Sequence, residues 1–251
     1  ANGLPVVNPS QDIVLGCYYL THERKDAIGE GRVFHSPEDV LIALEDGAVE
    51  ILSRIVLRYS GKLIDLTTLP PKERENVARA PVLDVENYRL ETTVGRVIFN
   101  DGLPDGLPFV NGLLKKKGLQ SLVHYVYLRH GINKTVETVD VLKDLGFQYA
   151  TRAGVSVIVR DMVVPPEKVN VVGKARSSQI EVEQQYQDGL ITNRERYNKV
   201  ISIWSEATER VSEAMFSEMN RIESESREFN PILMMADSGA RGSKDQMRQL
   251  A

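Results

Sequence analysis

A long polar segment with helical character, Val163–Arg227, constrains the fold of this chain more than any other stretch. It opens with a Pro-Pro step and is broken once, at Asp188–Gly189. After the break, apolar residues recur at steps of three and four, which places them on one stripe of a helix. They are Tyr197, Val200, Ile201, Trp204, Ala207, Val211, Ala214 and Met215. The pattern predicts two antiparallel helices joined at the break.

The first helix of this predicted hairpin, Pro165–Gln187, has a less regular apolar stripe. Its members are Val169, Val172, Ile180 and Tyr186. Each helix therefore has a narrow apolar seam, which predicts that the two pack on each other. Gly189 suits the left-handed conformation that commonly ends a helix, and Thr192 with Glu195 fits a capping box. The tip is predicted at residues 188–194.

Composition restricts the class of protein. With 251 residues, 42% hydrophobic and 26% charged, the chain can bury the core of one large or two smaller domains. Its net charge of -4 gives no overall attraction for nucleic acid, so phosphate binding must come from local basic groups. The single cysteine, Cys17, permits no internal disulfide and fits a reducing compartment. Because the four histidines are scattered, a structural zinc site is not expected.

Neither a membrane span nor an N-terminal signal peptide is expected from the sequence. No apolar run approaches the roughly 18 to 20 residues that span a bilayer, and the N-terminus lacks a signal-peptide pattern. We therefore expect a cytoplasmic protein without a membrane partner. The chain begins with Ala1 rather than Met and stops at Ala251 within a helical pattern, which predicts an excised fragment.

The other elements predict an α+β fold. The predicted helices are Ile13–Leu20, capped by Ser10–Asp12, then Ser36–Gly47, Gly112–Gly131 and Asn133–Tyr149. The predicted strands are Val49–Tyr59, Thr92–Phe99 and Ala153–Val159. Prolines and charges in residues 60–91 predict a long connection.

Four segments follow from these elements. Residues 1–100 form a mixed α/β part, 101–162 a helical body, 163–228 the coiled-coil-like hairpin and 229–251 a truncated terminal helix. We expect the hairpin to project from the helical body.

The terminal segment holds the most distinctive motif. A methionine-rich helix beginning at Asn230–Pro231 is interrupted by Ser238–Ser243, in which glycines stand on either side of Arg241. Such glycines let backbone approach a ligand and leave the guanidinium free to fork onto a phosphate. Arg248 would share a helix face with Arg241 if the helix were continuous. The alternative interpretation is a helix junction with an ordinary surface arginine.

The same segment carries a resemblance to a known family. The sequence Asn-Pro-Ile-Leu-Met-Met-Ala-Asp-Ser-Gly-Ala-Arg-Gly-Ser at 230–243, with Gln246 and the residues 248–251, closely resembles the β′ subunit of bacterial RNA polymerase. Residues 1–3 with 9–16 resemble the segment that follows that family's triple-aspartate loop, and residues 189–192 with 195–200 resemble the tip of its rim helices. Order and spacing match over essentially the whole chain.

The resemblance implies that the chain lines the secondary channel, through which nucleoside triphosphates are thought to pass and backtracked RNA is extruded. It also implies that the fragment is inactive alone, since the aspartates that hold catalytic Mg²⁺ would precede Ala1 and the bridge helix and trigger loop would follow Ala251. The implied partners are the β, α and ω subunits, a sigma factor, template DNA, the RNA transcript, nucleoside triphosphates and secondary-channel regulators.

Individual residues acquire roles from the same resemblance. Arg241 and Arg248 match basic residues beside the substrate triphosphate. Gln11 and Met235 match positions that line the same cavity, although a helix-cap neighbour and a core methionine are equally suitable interpretations. The residues that match the rim-helix tip, where channel-entering regulators and guanosine tetraphosphate act in some bacteria, are Glu195, Asn198 and Lys199. A solvated helix face is the alternative there.

Other interpretations remain open at this point. The chain could be a freestanding coiled-coil interaction module with no enzymatic role. A phosphate-binding enzyme built on the glycine-arginine turn would lack a base, a nucleophile and a metal cluster. The basic run Lys115–Lys117 predicts solvated surface at a helix end, because no aromatic residue interleaves it. Trp204 is expected to anchor the two hairpin helices to each other.

Overall fold

A computed structural model describes residues 5–225 and 229–250, without the side chains of residues 160, 224, 225, 244, 248 and 250. The fold is α+β, as predicted. The described chain divides into two compact units. The first comprises the residues up to Val155 together with Asp237–Arg241, and the second comprises Ser156–Ala236 together with the residues from Gly242 onward.

A four-stranded mixed sheet forms one layer of the first unit. Its strands are β1 (Val33–Phe34), β2 (Arg54–Asp65), β3 (Leu83–Thr93) and β4 (Phe109–Asn111). The long strands β2 and β3 pair antiparallel, with a register shift between Tyr59 and Gly61. The short strands β1 and β4 both pair parallel with β2, one towards each of its ends.

The pairing of β2 with β3 overturns the prediction of a long connection at residues 60–91. Only residues 66–82 connect the two strands, and β2 begins at Arg54 rather than at Val49. Most side chains of β3 are exposed, and its buried members are confined to the end around Leu90 and Thr92. Strand β3 is stabilised by its hydrogen bonds to β2 rather than by burial of its side chains. Its sequence therefore lacks the alternation of apolar and polar residues from which a strand is predicted.

Two predicted strands are wrong. The segment from Val94 forms a helix, α3 (Val94–Asp101), because the Thr93 side chain caps it by accepting a hydrogen bond from the Arg96 amide at 3.2 Å. Its apolar residues then pack into the core, so burial outweighs their strand propensity. Residues 155–158 form no strand, and Val159, which is 92% exposed, starts a short 3₁₀ turn.

The predicted helices of the first unit are present with shifted ends. They are α1 (Asp12–Thr21), α2 (Pro37–Glu45) and α4 (Lys116–Ala153). Gly131, with φ 79°, interrupts α4, which accounts for the two helices predicted there. Ser36 caps α2 as expected, by accepting from the Asp39 amide at 3.2 Å. The cap of α1 is Gln11, with no side-chain hydrogen bond, so the predicted side-chain cap is wrong.

Helices α1 and α4 cross at a contact that requires glycine. A Cβ atom on Gly16 would lie 1.8 Å from the carbonyl oxygen of Gly146, and one on Gly146 would lie 2.6 Å from the Ile13 Cα. Side chains of both helices form a core with Phe99, Val110 and Leu114. A second core packs α2 and α3 against the sheet. The crossing therefore fixes α1, which carries Tyr18, one residue of the candidate site.

The second unit contains the predicted antiparallel hairpin. Its helices are α5 (Lys168–Gln187) and α6 (Asn193–Glu225), followed by α7 (Pro231–Ser238) as far as Ala236 and by α8 (Lys244–Leu250). In the last third of α6, Met215 and Met219 pack with Ile232, Leu233 and Met247 in a core of this unit. That core ties the base of the hairpin to α7 and α8.

The residues of the hairpin seam differ in part from the prediction. Val172 lies beside Trp204 and Val211, as expected, and the Trp204 indole donates a hydrogen bond to the Gln179 side chain at 2.9 Å. The seam residues of α5 are otherwise Ala175 and Val182, which are buried. The predicted members that are instead exposed are Val169, Ile180, Tyr186, Tyr197 and Ile201. The narrow seam between the two helices admits small side chains such as alanine. A search for large apolar residues at helical spacing gives such residues too little weight.

Candidate functional site

The tip of the hairpin is closed by the predicted turn chemistry. Gly189 has φ 73°, and Thr192 and Glu195 form a capping box. The Glu195 carboxylate accepts from the Thr192 amide at 2.8 Å and from its hydroxyl at 2.9 Å. These hydrogen bonds lower the pKa of Glu195, although its side chain is fully exposed. Glu195 is therefore engaged in capping α6.

Arg196 joins the two helices at the tip, a role that the sequence did not reveal. Its guanidinium donates to Glu183 at 2.9 Å and to Asn193 at 3.0 Å, and it stacks 4.9 Å from the centre of the Tyr186 ring. The only sequence signal is its position one residue after the capping glutamate. The cluster holds the last turn of α5 against the first turn of α6.

The two other predicted tip residues present polar groups at the surface. Asn198 and Lys199 are both exposed on α6. The Lys199 ammonium donates to the Gln185 side chain at 3.1 Å, which is a second link between the helices. The tip is thus held by hydrogen bonds and presents these polar groups beside the exposed side chains of Leu190 and Tyr197.

The glycine-arginine motif forms a turn between two helices. Helix α7 ends at Ser238, and Gly239 and Gly242 both have positive φ, 73° and 80°. Arg241 is exposed. Because α8 starts only at Lys244, the helix is not continuous, and the argument that placed Arg241 and Arg248 on one face fails.

Asp237, immediately before this turn, is bound from two sides. The Tyr18 hydroxyl donates to Asp237 Oδ2 at 2.8 Å, and the Lys115 ammonium lies 2.6 Å from Asp237 Oδ1. We call Asp237, Tyr18 and Lys115 the Asp237 clamp. The prediction that Lys115 is simply solvated is therefore wrong. No sequence pattern could have found the clamp, because Tyr18 and Lys115 lie 219 and 122 positions before Asp237 in the chain.

The end of α1 places both donors of the clamp. Tyr18 is 5% exposed and lies one turn before Thr21. The Thr21 hydroxyl donates to the Cys17 carbonyl at 2.8 Å and accepts from the Leu114 amide at 3.0 Å, so it holds the backbone next to Lys115. The buried Arg96 donates to the Thr21 carbonyl at 3.0 Å, and burial lowers the pKa of its guanidinium.

The remaining predicted substrate residues fall in different parts of the fold. Gln11 is exposed in the first unit, with φ 49°, a conformation that non-glycine residues adopt rarely. Met235 is partly buried on α7 in the second unit. Arg248 belongs to α8, and its side chain lies outside the described part of the structure. A cavity shared by these residues with Arg241 stays a prediction.

The described residues include no metal-binding cluster, and their one cysteine is buried. Among them no group of three or more His, Cys, Asp or Glu side chains could hold a metal ion, so they do not fit the Mg²⁺ site of a polymerase. Burial raises the pKa of the Cys17 thiol to about 12, which leaves it unreactive at neutral pH. Within residues 5–225 and 229–250 no helix is long and apolar enough to cross a membrane.

Comparisons with known proteins cover the whole chain. The family model "RNA polymerase Rpb1, domain 3" matches residues 1–162, and "RNA polymerase Rpb1, domain 4" matches residues 191–251. The DNA-directed RNA polymerase subunit beta' of Koribacter versatilis (strain Ellin345) is 50% identical over all of this chain, which covers 18% of that relative. The corresponding subunit of Aquifex aeolicus (strain VF5) is 44% identical, with 100% of the chain and 15% of the relative covered.

A third relative, from Thermoanaerobacter pseudethanolicus (strain ATCC 33223 / 39E), is 39% identical over the whole chain and is covered to 20%. The chain therefore spans a fifth or less of the length of these three subunits. One family model matches more than half of the chain, and the three subunits are 39% to 50% identical to it over its whole length. The chain belongs to the family of DNA-directed RNA polymerase β′ subunits.

Proposed function

We propose that this chain acts as part of the β′ subunit of a bacterial DNA-dependent RNA polymerase and lines the secondary channel during transcription. The observation that carries the proposal is the exposed Arg241 in a turn bounded by two left-handed glycines. This turn lies in a segment, residues 230–251, whose sequence closely resembles the family. An exposed guanidinium on an ordered turn suits contact with a passing triphosphate.

Arg241 would bind substrate without taking part in bond formation. Its guanidinium would donate to triphosphate oxygens and offset their charge. Arg248 would be a second cation, and Gln11 and Met235 would line the same passage. The exposure of Gln11 in an unusual backbone conformation supports a contact role for it.

The chemistry of nucleotide addition would come from the rest of the polymerase. Catalytic Mg²⁺ would be held by carboxylates outside this chain, where it would stabilise the charge that develops during phosphoryl transfer. The other β′ segments, the β, α and ω subunits, a sigma factor, template DNA and the RNA transcript would be partners in the assembled, cytoplasmic enzyme. Membership of the β′ family disfavours the freestanding interaction module.

The hairpin tip supports a second role, the docking of regulators that enter the channel. Asn198 and Lys199 are exposed beside a turn that Arg196 and Glu195 hold in order. An ordered polar surface loses less conformational entropy on binding than a mobile one. We assign direct contacts to Asn198 and Lys199. Glu195 would act by keeping the first turn of α6 in place.

Nucleotide dependence of single-nucleotide addition in the assembled polymerase tests the substrate role. We expect Arg241→Ala to raise the apparent KM for nucleotide about tenfold, since loss of one partly solvated, charge-assisted contact costs about 1.5 kcal/mol. Arg241→Lys should rescue it poorly, because lysine lacks the planar fork. Arg176→Ala, at an exposed arginine of α5, is the matched control and should change nothing. An unchanged KM for Arg241→Ala with normal assembly would leave Arg241 a structural junction.

A further inference from the structure

The Asp237 clamp restrains a carboxylate that lies four residues before Arg241. Tyr18 and Lys115 donate to different oxygens of Asp237, at 2.8 Å and 2.6 Å. The carboxylate therefore cannot rotate without losing a partner. The two hydrogen bonds differ in strength, because the Tyr18 residue is 5% exposed, whereas the Lys115 and Asp237 side chains are 29% and 40% exposed. Solvent weakens the ion pair, so the Tyr18 hydrogen bond is the firmer restraint.

The residues between Asp237 and Arg241 are also packed. Ser238 is fully buried, and its hydroxyl accepts from the Ala240 amide at 3.2 Å. A Cβ atom on Gly239 would lie 3.2 Å from the Lys116 Cβ, so the turn lies against the start of α4. Ala240 packs against the core that α1 and α4 share. Restraint thus runs continuously from Asp237 to the residue before Arg241.

We propose that Tyr18, Lys115 and Asp237 are positioning residues that set the place of the Arg241 guanidinium. The inference deepens the proposed function, because it rests on Arg241 meeting an anionic substrate. A forked contact to phosphate oxygens needs a fixed orientation, which an unrestrained turn would not supply. Lys115 has a second effect. Its charge offsets that of Asp237, which would otherwise repel a polyanion close to Arg241.

The two donors can be separated by substitution. Tyr18→Phe removes the hydrogen bond to Asp237 and leaves the charges unchanged. Lys115→Met removes the ion pair and leaves the Asp237 charge without its offset. The loss of nucleotide affinity in Tyr18→Phe should be independent of salt concentration. The loss of affinity in Lys115→Met should shrink as salt screens the repulsion between Asp237 and the nucleotide. Lys115→Arg keeps the cation and should restore most of the affinity.

The test uses the assembled polymerase that carries this chain, with single-nucleotide addition as the measurement. Tyr18→Phe and Lys115→Met are each expected to raise the apparent KM for nucleotide about two- to tenfold, because only the fraction of enzyme with the turn in place binds well. The rate at saturating nucleotide should change little. Lys117→Met, at an exposed lysine two residues from Lys115, is the matched control.

A double-substitution comparison shows whether the clamp acts through Arg241. When Arg241 is already alanine, Tyr18→Phe should raise the KM no further, since there is no guanidinium left to position. If the KM of the double variant rose by the product of the two single increases, the proposal would be overturned. It would also be overturned if both clamp variants left the KM unchanged while Arg241→Ala raised it. Purely structural damage would instead lower the maximal rate in every background.

A readout independent of nucleotide separates this inference from the proposed function. In the same enzyme, hydrogen exchange of the peptide that covers residues 238–241 should become about tenfold faster in Tyr18→Phe than in Lys117→Met, since one charge-assisted hydrogen bond is lost. If Arg241→Ala leaves the KM unchanged, the substrate role fails, and faster exchange still supports the restraint of the turn. Exchange that is equal in the two variants overturns the clamp itself.

Discussion

The crossing of α1 and α4 should fail when a single methyl group is added at Gly16. An alanine Cβ there would lie 1.8 Å from the Gly146 carbonyl oxygen and 2.8 Å from the Ala150 amide nitrogen. Ordinary contact begins near 3.4 Å, so the helices must separate by 3.4 minus 1.8, or 1.6 Å, at this point. The atoms in the way belong to the backbone of α4 and cannot rotate aside.

Two opposing effects decide the size of the change. Replacing glycine by alanine within a helix favours folding by about 1 kcal/mol. Overpacking a well-filled contact costs about 1 to 3 kcal/mol, and a backbone clash of this depth belongs at or above the upper end. We therefore expect Gly16→Ala to lower the free energy of unfolding by about 2 kcal/mol.

Urea unfolding of the 251-residue chain, followed by circular dichroism, measures this quantity. Gly118→Ala is the matched control, since its Cβ would meet Leu114 Cδ2 at an ordinary 3.4 Å, and it should be neutral or slightly stabilising. Adding Gly146→Ala to Gly16→Ala should cost less than the sum of the single changes, because the helices have already separated. A Gly16→Ala chain as stable as the Gly118→Ala chain would refute the close crossing.

Two further predictions concern the hairpin tip. In the assembled polymerase, Asn198→Ala and Lys199→Ala should each weaken binding of a channel-entering regulator by about 0.5 to 1.5 kcal/mol, measured by titration. Glu209→Ala, on the same helix, is the control and should not weaken it. Equal affinities in all three variants would remove the tip from the docking surface. The pKa of Glu195 is lower in the folded chain than in the unfolded chain. Its carboxylate therefore stabilises the fold at a pH above its pKa in the unfolded chain, and this stabilisation is lost as the pH falls through its lowered pKa in the folded chain. Thermal unfolding of Glu195→Gln should therefore depend less on pH in the acid range than that of the unaltered chain, and parallel curves would contradict the capping role.

The hairpin shows how much of the fold the sequence determines alone. Its helices, its Gly189 turn and its Thr192 cap follow from residues within four positions of one another, and the structure confirms them. The same holds for the Ser36 cap of α2 and for the glycines around Arg241. Local hydrogen bonds and backbone preferences suffice for these features. The family resemblance, confirmed by the comparisons, is also a property of sequence.

Tertiary structure decided what depends on distant partners. Strand β3 exists through its pairing with β2, and α3 is a helix because its apolar face is buried, although its residues favour strand. The hairpin seam uses Ala175 where the apolar pattern predicted Ile180, since close helices admit small side chains. The Asp237 clamp joins three segments that no spacing rule connects. Contacts between residues 219 and 122 positions apart leave no periodic trace, so only the folded chain places Tyr18 and Lys115 beside Asp237.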